Sequence, residues 1–66
     1  MGIHRIETPE EFHRRMIERC EIVAARHERD AQRAVSEAPR ANCIAKMEKE
    51  LRNAELHRNR LADLMQ

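Results

Sequence analysis

The sequence has almost no aromatic residues, almost no glycine and little proline. Phe12 is the only aromatic ring of the Phe, Tyr and Trp class, Gly2 the only glycine, and Pro9 and Pro39 the two prolines. A β-sheet needs tight turns and strands rich in β-branched or aromatic residues, so this composition excludes one. Also missing is any run of about 18 apolar residues, the length at which a segment becomes a candidate membrane helix. No signal-peptide pattern opens the chain. Met1-Gly2-Ile3-His4-Arg5-Ile6 lacks the Ser or Thr at position 6 that a myristoylation signal wants. The expected location is therefore cytoplasmic. Finally, charge of one sign is missing. Thirteen basic side chains against twelve acidic ones give a net charge of +1, without the basic excess of a general polyanion binder.

What is present is helical. Arg, Glu, Ala, Leu and Met dominate, and all are good helix formers. The charged fraction is 38%, but the signs are mixed and apolar residues recur periodically, which marks a solvated helical surface rather than a disordered chain. Sixty-six residues make a single helical domain, 1–66, with a core that rarely supplies more than ~3–5 kcal/mol on its own.

Residues 1–7 read as a short N-terminal arm. Thr8-Pro9-Glu10-Glu11 then gives a helix start: Thr8 as cap, Pro9 at the first helical position, and Glu11 completing a capping box. The first helix is expected over about 9–37, a turn over about 36–42 around Pro39, and a second helix over about 40–65, capped by Ser36 or Asn42. The apolar spacing favours an antiparallel hairpin over one kinked rod. Helix one presents Phe12, Met16, Cys20, Val23, His27, Ala31 and Ala34. Helix two presents Ile44, Met47, Leu51, Ala54, Arg58, Leu61 and Met65. Folding at residues 38–39 sets Phe12 beside Met65, Met16 beside Leu61 and Ala34 beside Ile44, with facing numbers adding to 77 or 78. In this register Leu51 is a core residue opposite His27, and the stem of Arg58 snorkels out of the core. With Ala24, Ile17 and Val35 added on one helix, and Leu64, His57 and Ala62 on the other, the stripes widen beyond what one neighbour needs. A homodimeric four-helix bundle made of two hairpins is the expected closed solution.

The chemistry-bearing residues give no catalytic constellation. Cys20 and Cys43 fall at different levels of the hairpin, so no intrachain disulfide is expected. Cys20 lies near His57 in this register, but no oxyanion donor or orienting acid accompanies the pair. His13, Cys20 and His27 share a face at seven-residue intervals, about 10.5 Å apart in rise and too far apart for one metal ion. Glu10 and His13 have the Glu-x-x-His spacing of di-iron bundles, but the second helix lacks the matching motif. No cofactor and no metal are expected. The segment Ile3-His4-Arg5-Ile6 before Pro9-Glu10-Glu11-Phe12 resembles, over about the first 16 residues, the strand-then-helix start of ribbon-helix-helix repressors. That family implies DNA binding and a turn soon after the first helix begins, whereas Ala24 through Val35 contains no turn.

Two apolar residues fall outside both stripes: Ile22, flanked by Arg19 and Arg26, and Leu56, flanked by Arg52 and Arg60. Apolar knobs ringed by arginine are the composition of an interaction hot spot, and these six residues form the candidate partner-binding surface. The sequence thus points to a non-enzymatic helical interaction module, an adaptor or inhibitor of the kind phages and mobile elements carry. It would associate with itself and bind a protein partner whose activity it modulates. The alternatives are a structural assembly subunit and a small DNA-binding regulator.

Overall fold

The computed structural model describes residues 6–66, and the first five lie outside the description, including the Ile3 portion of the arm. Two helices make up the fold, α1 (Pro9–Arg33) and α2 (Glu37–Leu64), packed side by side as a hairpin. The Cα radius of gyration is 15.7 Å, against about 11 Å for a compact domain of this length. The chain is elongated, as two bare helices must be.

The start of α1 follows from its first four residues. Thr8 Oγ1 accepts a hydrogen bond from the Glu11 backbone N–H at 3.1 Å, and the Thr8 N–H donates to Glu11 Oε1 at 3.2 Å. Pro9 occupies a position whose N–H would have no helical partner, and Glu10 and Glu11 face the positive end of the dipole. Two ion pairs, Arg14–Glu10 at 2.7 Å and Arg15–Glu7 at 2.8 Å, lie across this exposed turn.

The turn lies earlier than the sequence reading placed it. Helix α1 ends at Arg33 rather than 37, and α2 begins at Glu37 rather than 40. The reason is Pro39. A proline ring clashes with the carbonyl four residues earlier, yet is tolerated in a helix's first turn. The residue it excludes from helical bonding is Val35, so the chain breaks there, and Pro39 sits in the opening turn of α2. Ala34 and Ser36 are both extended, and Val35 between them is 99% exposed. Ser36, not Asn42, holds the cap position, although its hydroxyl makes no cap hydrogen bond. Arg40 Nη2 donates to the Ala34 carbonyl at 3.0 Å, tying the two helix ends together.

Moving the turn changes the register. His13 meets His57 and Cys20 meets Glu50, pairs whose numbers add to 70 rather than 77 or 78, while the long side chain of Arg58 still reaches Glu21, a pair adding to 79. The α1 seam runs through His13, Ile17, Cys20, Ala24, His27, Ala31 and Ala34, and the α2 seam through Cys43, Met47, Glu50, Ala54, His57 and Leu61. Both alternate steps of three and four, the period of helices packed at a shallow angle. Each seam is rotated from the expected stripe, α1 toward Ile17 and Ala24, α2 toward Cys43 and Glu50. Its buried members are small: Cys20, Ala24, Ala31 and Ala54, the last 0% exposed. Small side chains let the two backbones approach, Ile17, Met47 and Leu61 are half-buried between them, and Phe12, Ile44 and Leu51 are left on the flanks. Leu51 is accordingly a flanking residue, 46% exposed, not a core one. Arg58 does not snorkel from a core. It lies on the surface, forked between Glu21 at 2.9 Å and Glu55 at 3.4 Å.

Candidate functional site: apolar flanks and arginine edges

Every large apolar side chain of the described residues is at least partly exposed within one chain. No large side chain is fully buried, while Phe12, Ile22, Ile44, Leu51, Leu56, Leu64 and Met65 are all exposed. These residues are distributed in an ordered way around the hairpin. On one face, Ile44, Met47 and Leu51 of α2 line shallow clefts with Ala24, Ala25 and Ala31 of α1. The rim is charged in a segregated manner: Glu21 and Glu28 come from α1, Arg40 from α2. At about 100° per residue, Phe12, Met16 and Val23 project from α1 on the other side of its seam.

The six candidate partner-binding residues do not converge within a chain. Arg19, Ile22 and Arg26 line one groove on α1 together with Arg15, Glu18 and Val23. Arg60 lines a different groove with Pro9, His13, Asp63 and Leu64. Ile22 lies about 175° from the α1 seam and Leu56 about 140° from the α2 seam, so the two point to opposite outer edges. Both remain exposed, Ile22 at 54% and Leu56 at 58%.

The cysteines lie apart and are both free thiols. Cys20 faces Glu50 rather than His57. Burial raises the Cys20 pKa above the ordinary thiol range, and the facing Glu50 carboxylate raises it further. That is the opposite of the activation a nucleophilic cysteine requires. His57 instead stacks in an aromatic group with Phe12 and His13, its Nδ1 2.9 Å from that of His13. The sequence reading missed this pair because it rests on the register. Among the described residues, no group of three or more His, Cys, Asp or Glu side chains is arranged to hold a metal ion, and no helix is long and apolar enough to cross a membrane.

Comparison of the chain with protein-family models, with curated proteins and with solved structures finds no match in any of the three.

Proposed function

We propose that this chain is a non-enzymatic helical interaction module that pairs with a second copy of itself and binds a further protein, whose activity it modulates. The observation that carries the reading is the seam: one hairpin buries only small side chains and leaves its large apolar ones outside. The chain's accessible surface of 5614 Å² exceeds the roughly 4,400 Å² expected for a compact monomer of this mass. A second copy packed on the apolar face would cover part of that excess.

The face bearing Ile44, Met47 and Leu51 is the dimer surface in this reading. A two-fold axis parallel to the helices lays α1 of each chain over α2 of the other. The acidic rail of Glu21 and Glu28 then covers the side carrying Arg40, and like charges stay apart, as an isologous interface requires. The same operation places the Ile22 edge of one chain and the Leu56 edge of the other on one side of the bundle. The two apolar knobs and the four arginines that ring them thereby become one composite surface, and this surface is the one that takes the partner.

Sedimentation equilibrium tests the first half. The expected result is a dimer at micromolar concentration, and a monomer for Leu51→Glu that keeps its helical circular dichroism. A folded wild-type monomer at that concentration overturns the reading. For the second half, a protein retained by the wild-type dimer from host extract should be lost by Ile22→Ala with Leu56→Ala, while that variant stays dimeric. Retention by the variant removes the composite surface and leaves an assembly subunit.

A further inference from the structure

The His13–His57 pair stands at the open end of the hairpin, one imidazole from each helix, with the two Nδ1 atoms 2.9 Å apart. That contact is a hydrogen bond in which one nitrogen carries the proton and the other offers its lone pair. The Phe12 ring meets both imidazoles edge-on, at centroid distances of 5.3 and 5.9 Å, and Arg15 covers the Phe12 ring at 5.5 Å. The rings are therefore braced from one side. On the other side His13 opens onto a groove with Pro9, Arg60, Asp63 and Leu64, where the Asp63 carboxylate offsets the Arg60 charge, and both histidines are only half-buried, so a solvated ion has access.

We propose that His13 and His57 form a two-histidine chelate for a late first-row divalent cation such as Zn²⁺ or Ni²⁺. Imidazole nitrogens are the preferred neutral ligands of these ions, bound at about 2.0–2.1 Å. Two such bonds at a tetrahedral angle need a nitrogen separation of about 3.3 Å, roughly 0.4 Å more than the present contact. A small rotation of the two rings supplies that difference without moving either helix. The ion takes the place of the shared proton, which passes through solvent to the Nε2 of the same ring; that ring changes tautomer and stays neutral, and both Nδ1 nitrogens then act as lone-pair donors. Among the described residues no third donor completes the set, so water fills the remaining positions and the site is an open one. Its effect is to clip the first third of α1 to the last third of α2, at the end farthest from the turn.

The test is a titration of the metal-free full chain with ZnCl₂ and separately with NiCl₂, followed by calorimetry and by thermal melting. One ion per chain is expected, with the melting temperature rising as metal is added. At a hundredfold excess over the dissociation constant, the folded-to-unfolded ratio gains about a hundredfold. His13→Gln and His57→Gln should each weaken binding at least tenfold, whereas His27→Gln should leave it unchanged. Nitrogen-15 spectra of histidine-labelled wild-type protein should show the coordination shift on two Nδ1 atoms, a readout that needs no variant to fold. Binding that survives in the His13→Gln, His57→Gln double variant overturns the proposal, as does a wild-type protein whose melt and histidine spectra ignore both metals.

Discussion

Cys20 faces the carboxylate of Glu50 across the hairpin, and burial together with that carboxylate raises the pKa of the thiol. A seam position facing a cysteine is an unusual place for a carboxylate, and the pairing leaves Cys20 a stabilised thiol rather than a thiolate. At neutral pH, Cys20 should react with iodoacetamide far more slowly than Cys43 in the folded protein, and at an equal rate in urea. Glu50→Gln removes the carboxylate charge but not the burial, so it should speed Cys20 only part of the way toward Cys43. The sign of the pH dependence follows from the raised pKa. The folded chain keeps its thiol proton where the unfolded chain, with an ordinary value near 9.0, has lost it. The contribution of this thiol to stability is full below that pH and falls away as pH rises through the folded value. Urea melts at pH 8 and pH 10 on wild type and Cys20→Ala measure it, and the wild type should lose more.

Ala54 and Leu51 make a contrasting pair. Ala54→Leu forces a large side chain into the tightest part of the seam and should cost about 1–3 kcal/mol, independent of protein concentration. Leu51→Ala removes a side chain that one hairpin leaves half exposed. In a lone chain that truncation should cost well under the ~2–5 kcal/mol of a buried leucine. In the proposed dimer it should approach that range and weaken association. Melting temperatures of both variants across a hundredfold span of concentration separate the two contributions.

Thr8→Ala removes the hydroxyl half of the capping box at the start of α1 and leaves the backbone N–H that donates to Glu11 Oε1. Loss of such a cap costs typically ~1 kcal/mol, worth roughly 4–8 °C of melting temperature in a domain of this size. The check is a thermal melt beside Thr8→Ser, which keeps the hydroxyl and should melt close to the wild type. A Thr8→Ala melt indistinguishable from wild type would show that the first turn frays in solution.

Arg58 pairs with Glu21 across the hairpin. Both side chains are about half exposed, so a double-mutant cycle with Glu21→Ala and Arg58→Ala should give only ~0.2–1 kcal/mol of coupling, diminishing at high salt. The register read from the sequence sets Arg58 against Cys20 instead, where a cycle with Glu21 still has a neighbour to report. Labels settle the difference: spin labels at positions 13 and 57 should lie close together, while those at 12 and 65 should not.

The helical class, the hairpin and the whole N-terminal start of α1 were legible in the sequence because each depends on local chemistry. Thr8, Pro9 and Glu11 act within one turn of each other, and no competing structure was open to so few glycines and aromatics. The register was not legible in the same way. Pro39 reads as the break, but its steric effect falls four residues earlier, on Val35, and that displacement changes what His57 and Cys20 face. The stripes misled for a second reason. Hydrophobic spacing weights Phe12, Leu51 and Ile44 most heavily, whereas close approach of two helices selects the alanines and Cys20. Moving the seam explains why His57 found His13 rather than Cys20. It also explains why Ile22 and Leu56, level in the expected register, sit on opposite edges of one chain.

A seam of alanines and a cysteine has a calorimetric consequence. Heat capacity and denaturant sensitivity both scale with the apolar surface that unfolding exposes, and a single hairpin has little of it hidden. The chain alone should therefore unfold over a wide temperature interval, with a shallow urea slope and a nearly flat stability curve. Any steepness in its transition is a property acquired from whatever covers Ile44, Met47 and Leu51, so the sharpness of the melt is itself a gauge of how much of that face is occupied.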